Sequence, residues 1–195
     1  MPEDRKTKKG FTMVEMLVVI SIVGILVTLI IVDFRRGKMN DDLRHSAISL
    51  SEAFRQVQNL AQSGRESASA EERRGFGIFL NPGVDPDKYW VFDDQNADHF
   101  YNVSDDKLIE EKEVTFPDRV IIEKVESTNF FEISQGVALV FVLLEPKPYV
   151  CVTAPCGGNI GDDLTVTLKH TTTEATRKVQ VNGFTGQVEV SAVSE

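Results

Sequence analysis

The chain is poor in the residue groupings that announce chemistry. It has three histidines, His45, His99 and His170, far apart in sequence, and two cysteines, so a four-ligand zinc site lacks its ligands. No nucleophile elbow, phosphate-binding loop or metal-binding histidine pair occurs, and no catalytic residue or cofactor is assigned. Asp94, Asn96 and Asp98 stand at calcium-loop spacing, but the Gly and the distant Glu of an EF-hand are missing. A solvated acidic turn needs only this Asp and Asn chemistry, so no metal is assigned. Basic residues are outnumbered, 21 against 30 acidic, for a net charge of −9. Such a chain repels nucleic acid in bulk, which leaves only a local patch, from Arg73-Arg74 or Arg177-Lys178, as a route to DNA. Most telling is where charge is nearly absent: between Phe11 and Val32 the one charged side chain is Glu15.

As a helix, residues 11–32 cover roughly 33 Å, the thickness of a bilayer's hydrocarbon core. A basic leader, Met1 to Gly10, precedes them, with Arg5, Lys6, Lys8 and Lys9 set against Glu3 and Asp4. A secretory signal peptide places its apolar stretch before a small-residue cleavage site, whereas here Gly10 comes first and the apolar run follows. Processing at that point leaves the hydrophobic helix on the mature chain. Basic residues also follow the run, at Arg35, Arg36, Lys38 and Arg44, so counting positive charge on each side does not decide orientation. Glu15 either feels the positive end of its own helix dipole or needs a partner, because a carboxylate near a membrane centre costs about 2.5 to 3.5 kcal/mol.

The string Gly10-Phe11-Thr12-Met13-Val14-Glu15-Met16-Leu17, leading into an apolar helix, resembles the prepilin motif of type IV pilins and type II secretion pseudopilins. The resemblance implies that a prepilin peptidase cuts between Gly10 and Phe11 and that the new amino group of Phe11 is methylated. It implies a further role for Glu15, whose carboxylate would pair with the amino terminus of a neighbouring subunit and fix axial register. The implied location is the cytoplasmic membrane, single-pass, with a cytoplasmic leader and an exported carboxyl-terminal domain, followed by a filament. The implied partners are other subunits, the peptidase and methyltransferase, an inner-membrane assembly platform and, before assembly, the lipid bilayer.

Beyond the apolar run, Asp33 to Lys38 forms a polar band suited to lipid headgroups. Leu43, Ala47, Leu50, Phe54, Val57 and Ala61 then recur at spacings of three and four, the apolar stripe of an amphipathic helix, with Gly64 as its stop. Read without a break, the helix from Phe11 to Ser63 is about 80 Å long. The other reading is an anchor and a soluble helix joined by a hinge at Gly37.

Residues 65–75 read as a solvated loop, after which the period falls to two. Strands are expected at Phe76–Leu80, Tyr89–Phe92, Glu113–Phe116, Val120–Val125, Phe130–Ile133, Val137–Leu144, Tyr149–Val152, Leu164–Leu168, Val179–Val181 and Val188–Val190. The last two flank Asn182-Gly183-Phe184-Thr185-Gly186, a hairpin connection. The expected fold is α+β, a long amino-terminal helix packed on a mostly antiparallel β domain. Its parts are the leader 1–10, a membrane or filament-core helix 11–32, an amphipathic continuation 33–64 and an exported globular domain 65–195. This order of elements looks like the H-type minor pseudopilins and related minor pilins. In an exported, oxidising setting Cys151 and Cys156 are expected to form a disulfide across a Pro- and Gly-rich turn, with free, partly buried thiols as the other reading.

The resemblance therefore implies a structural subunit, a minor one, of a type IV pilus or type II secretion pseudopilus, and no motif points to an enzyme. The alternatives are a DNA- or ligand-binding minor pilin at a filament tip and a membrane-anchored domain that never polymerises.

Overall fold

A computed structural model describes residues 11–63, 75–129, 133–142, 145, 147–156 and 161–192 of the chain, without the side chains of 29, 32–36 and 110–112. The chain divides into two compact units, Met1–Lys38 and Met39–Glu195, and one helix, α1 (Met13–Gln62), contributes to both. Gly37 lies inside α1, where it weakens the helix by roughly 1 kcal/mol relative to Ala without ending it. The helix closes at Gln62, with the Ser63 amide bonded to the Asn59 carbonyl; of the expected loop at 65–75, residues 65–74 lie outside the described residues, as does Gly64, and Gly75 instead opens the first strand.

In the second unit, the apolar stripe of α1 forms the centre of the core. Leu43, Ala47, Leu50, Phe54, Val57 and Ala61 are all buried, as is Ala53 beside them. Ser46 and Ser51 are buried too, and their hydroxyls donate to the carbonyls of Asp42 and Ile48, which removes the cost of hiding them.

The β domain is built as two antiparallel sheets. The five-stranded sheet has the order β3-β2-β1-β5-β6, with β1 Gly75–Asn81, β2 Asp85–Asp94, β3 Lys107–Thr115, β5 Val137–Val142 and β6 Tyr149–Cys151. The four-stranded sheet has the order β4-β7-β8-β9, with β4 Val120–Ser127, β7 Leu164–His170, β8 Thr176–Val181 and β9 Val188–Ala192. Both sheets and the α1 stripe share one core that includes Ile78, Leu80, Val91, Ile122, Leu168 and Val179. Two polar contacts add to this packing: Ser49 Oγ lies 3.2 Å from Tyr89 Oη in the first sheet, and Arg55 Nη2 donates to the Val188 carbonyl in the second at 3.1 Å.

Strand β5 accounts for the longest apolar run of the domain. Val137, Leu139 and Phe141 face the main core, while Ala138, Val140 and Val142 belong to a second cluster with Phe92, Tyr149 and Cys151 on the opposite face. Strand β3 starts six residues ahead of the expected Glu113, because its charged first half suits an edge strand. Ile133 pairs with Val125 as an isolated bridge, while the rest of the strand expected at Phe130–Ile133 lies outside the described residues.

Candidate functional site

The helix start carries the expected site. Thr12 is the residue before α1: its carbonyl accepts the first helical bond, from the Met16 amide at 3.2 Å. Its hydroxyl accepts from the Glu15 amide at 3.2 Å, and the Glu15 carboxylate in turn accepts, through Oε2, from the Thr12 amide at 3.4 Å. This is a capping box, in which the side chains of Thr12 and Glu15 each accept from the other residue's amide, one of those a helix start leaves without an internal partner. Phe11, 75 % exposed, adjoins it, so Phe11, Thr12 and Glu15 fall within one turn; Gly10 lies outside the described residues. The part played by Thr12 went unread in the sequence, although Thr-x-x-Glu ahead of an apolar run is the pattern of such a box.

After the box the helix is apolar on every side. Met13, Val14, Leu17, Ile20, Ile25, Leu26 and Ile30 are among many large side chains left exposed. The few polar groups turn inward on the backbone: Ser21 Oγ donates to the Leu17 carbonyl at 2.8 Å and Thr28 Oγ1 to the Gly24 carbonyl at 2.6 Å. Among the described residues no helix is long and apolar enough to cross a membrane. The described side chains run unbroken only over residues 13–28, about 24 Å of helix, so a span over 11–32 rests on the sequence pattern. The polar band that follows has side chains outside the description at 33–36.

The other candidates sit in the second unit. Cys151 and Cys156 are joined by a disulfide, with Cα atoms 5.2 Å apart, and the peptide between Ala154 and Pro155 is cis. Asp98, at the calcium-like spacing, accepts from the Asn96 and Asn102 side chains and from the Phe100 amide, the bonding of an acidic turn. Among the described residues no group of His, Cys, Asp and Glu is arranged to hold a metal ion. Asp106 accepts from the amides of Gln95 and Asn102 at 3.0 and 2.7 Å. Burial, reinforced by the charges of Asp94 and Asp98, pushes its carboxyl up to about 6 in spite of those two donors.

The histidines do not converge. His99 donates its backbone amide to buried Asp94 and lies 2.9 Å from it through Nδ1, while His170 accepts the amides of Thr172 and Thr173 in a turn. The basic pair Arg177-Lys178 occupies neighbouring positions of β8, which point to opposite faces of the sheet and cannot join in one patch. Arg73-Arg74 lies outside the described residues.

Comparison with known families agrees with the helix start. Residues 5–31 match the profile of the prokaryotic N-terminal methylation motif. Neither the curated proteins nor the solved structures yield a match to the chain. The matched segment contains the capped turn and most of the exposed apolar helix, and it points to a structural protein and not an enzyme. This motif supports a protein of the type IV pilin or pseudopilin kind.

Proposed function

We propose that the chain is the precursor of a minor subunit of a type IV pilus or type II secretion pseudopilus. In this reading the leader is cut between Gly10 and Phe11, Phe11 is N-methylated, and residues 11–32 anchor the subunit in the cytoplasmic membrane until it enters a filament. The exposed apolar helix behind a single capped carboxylate carries the proposal. A surface apolar on every side is stable in lipid or among like helices, and not in water. Exchanging lipid for neighbouring helices is nearly neutral in hydrophobic terms, so packing and charge must favour the assembled state. Glu15 supplies the charge: beside the new ammonium of a neighbour's Phe11, in an environment poor in water, the attraction is strong enough to select one register.

Mass spectrometry of the amino-terminal peptide, from protein expressed in a host with an active prepilin peptidase, tests the reading. A mature chain beginning at N-methylated Phe11 is expected. A chain that keeps Met1 to Gly10 under those conditions contradicts processing, and normal filaments from Glu15→Ala contradict the assembly role.

A further inference from the structure

We propose that a recess between α1 and the first sheet, with Glu52 at its mouth, is a binding site for a lysine side chain presented by a different protein. The recess belongs wholly to the second unit, so the inference stands apart from the filament reading.

The recess arises where helix and sheet fall short of each other. On the helix side Ala53 contributes only a methyl group. In the sheet Tyr89 pairs with Val114 and Trp90 with Glu113, but the register is irregular between Trp90 and Phe92, so the ladder to β3 is interrupted at Val91. The space left is about 300 Å³, walled by Ser49, Glu52 and Gln56 of α1 and by Tyr89, Val91 and Val114 of the sheet. Ligand sites run from about 300 to 1,000 Å³, so this one has room for a single side chain and not for a large cofactor.

Its chemistry selects the occupant. Ala53 and Val91 are buried at the bottom and Val114 is half-buried at the side, which makes an apolar wall. Ser49 Oγ and Tyr89 Oη lie 3.2 Å apart; their bond uses one hydroxyl hydrogen and leaves oxygen lone pairs free to accept. Glu52 is exposed and has no hydrogen bond or ion pair among the described residues. Its charge reaches the same place: burial first raises the Tyr89 hydroxyl above the ordinary tyrosine range, the Ser49 bond opposes this, and the Glu52 charge adds to it. Among the described residues no Lys, Arg or His lines the recess.

An anion is repelled by Glu52, and a wholly apolar ligand strips water from the carboxylate and hydroxyls without replacing it. Calcium takes about six to eight oxygen ligands, more than one carboxylate and two hydroxyls supply. A lysine meets both halves of the site. Its methylene stem lies along Ala53 and Val114, and its three ammonium donors match three acceptor groups, Glu52, Ser49 and Tyr89. The net charge of −9 draws in a basic partner and sets copies of this chain against each other, which favours a different protein over a second copy.

Nuclear magnetic resonance of the full chain in micelles of an uncharged detergent, titrated with the tripeptide acetyl-alanyl-lysyl-alaninamide, tests the site. Saturable shifts are expected at the amides of Ser49, Ala53 and Val114 and at the Tyr89 ring. The norleucine peptide, which keeps the stem and drops the charge, should bind roughly five- to ten-fold more weakly, and so should Glu52→Gln with the lysine peptide. Glu123→Gln, which removes a carboxylate already 3.4 Å from Lys169, should bind as the unsubstituted chain does. The norleucine comparison needs no variant, so it decides even if the substitution disturbs α1. Absence of saturable shifts in the recess, equal binding of the two peptides, or full binding by a folded Glu52→Gln chain overturns the proposal. Tighter binding of n-butylammonium than of the lysine peptide overturns the protein source in favour of free amines. Self-association in sedimentation that is lost in Glu52→Gln overturns it in favour of a second copy.

Discussion

Thr12 shows how much one hydroxyl controls at the start of a helix. It satisfies the Glu15 amide while its own amide holds the Glu15 carboxylate, so the direction of the carboxylate and the position of the first turn are set together. Thr12→Val keeps the shape and removes the acceptor. Loss of an N-cap costs about 1 kcal/mol, so the first turn should fray and the Glu15 amide should exchange roughly five-fold faster in micelles, with Thr12→Ser restoring the wild-type rate. Unchanged exchange in the Val variant would show that the box contributes nothing to the helix start. The carboxylate itself was legible from sequence as a lone charge in an apolar run. Its partner was not, because a threonine among apolar residues reads as neutral until the three-residue spacing to Glu15 is noticed.

At the scale of elements, the hairpin of β8 and β9 is a tightly specified turn. The Asn182 carboxamide oxygen accepts from the amides of Phe184 and Thr185, Gly186 donates to the Asn182 carbonyl at 2.8 Å, and Gly186 adopts φ of 69°. A Cβ on Gly186 would also press on the Gln58 side chain of α1. Gly186→Ala is therefore expected to cost about 1 to 2 kcal/mol in urea unfolding, and Gly186→Asn less, since Asn tolerates the left-handed region. An Ala variant as stable as wild type would contradict this account of the turn. The hairpin and the helical stripe could be read in advance because each rests on local rules, turn chemistry in one case and period in the other. The division of the strands into two sheets could not, since strands such as β2 and β4 show the same alternation whichever sheet they join. The cluster of Asp94, Asp98 and Asp106 was likewise hidden, because nothing in Asp-rich sequence tells a solvated turn from one folded over aromatic rings.

At the scale of the whole molecule, the two units obey different solvents. Among the described residues, every buried member of the main core lies at Leu43 or beyond, within the second unit. A chain beginning at Met39 is therefore expected to fold cooperatively in water without detergent, with the far-ultraviolet and aromatic circular dichroism of an ordered α+β domain. A molten or aggregated product would show that the first unit contributes to the core after all. The large side chains exposed among the described residues between Phe11 and Ile31 are expected to confine the full chain to lipid, detergent or a filament.

Strand β5 carries one more consequence. Most strands learn which way is inward from the contrast between oily and polar side chains, and a slip of one residue is punished by turning polar groups into the core. All six residues of Val137–Val142 are buried, so β5 has no such contrast to read. What distinguishes its two faces is bulk: Val137, Leu139 and Phe141 on one side, Ala138, Val140 and Val142 on the other. Volume, and not polarity, writes the register of the strand buried between the two clusters, and a close-packed interior is the only reader able to enforce it.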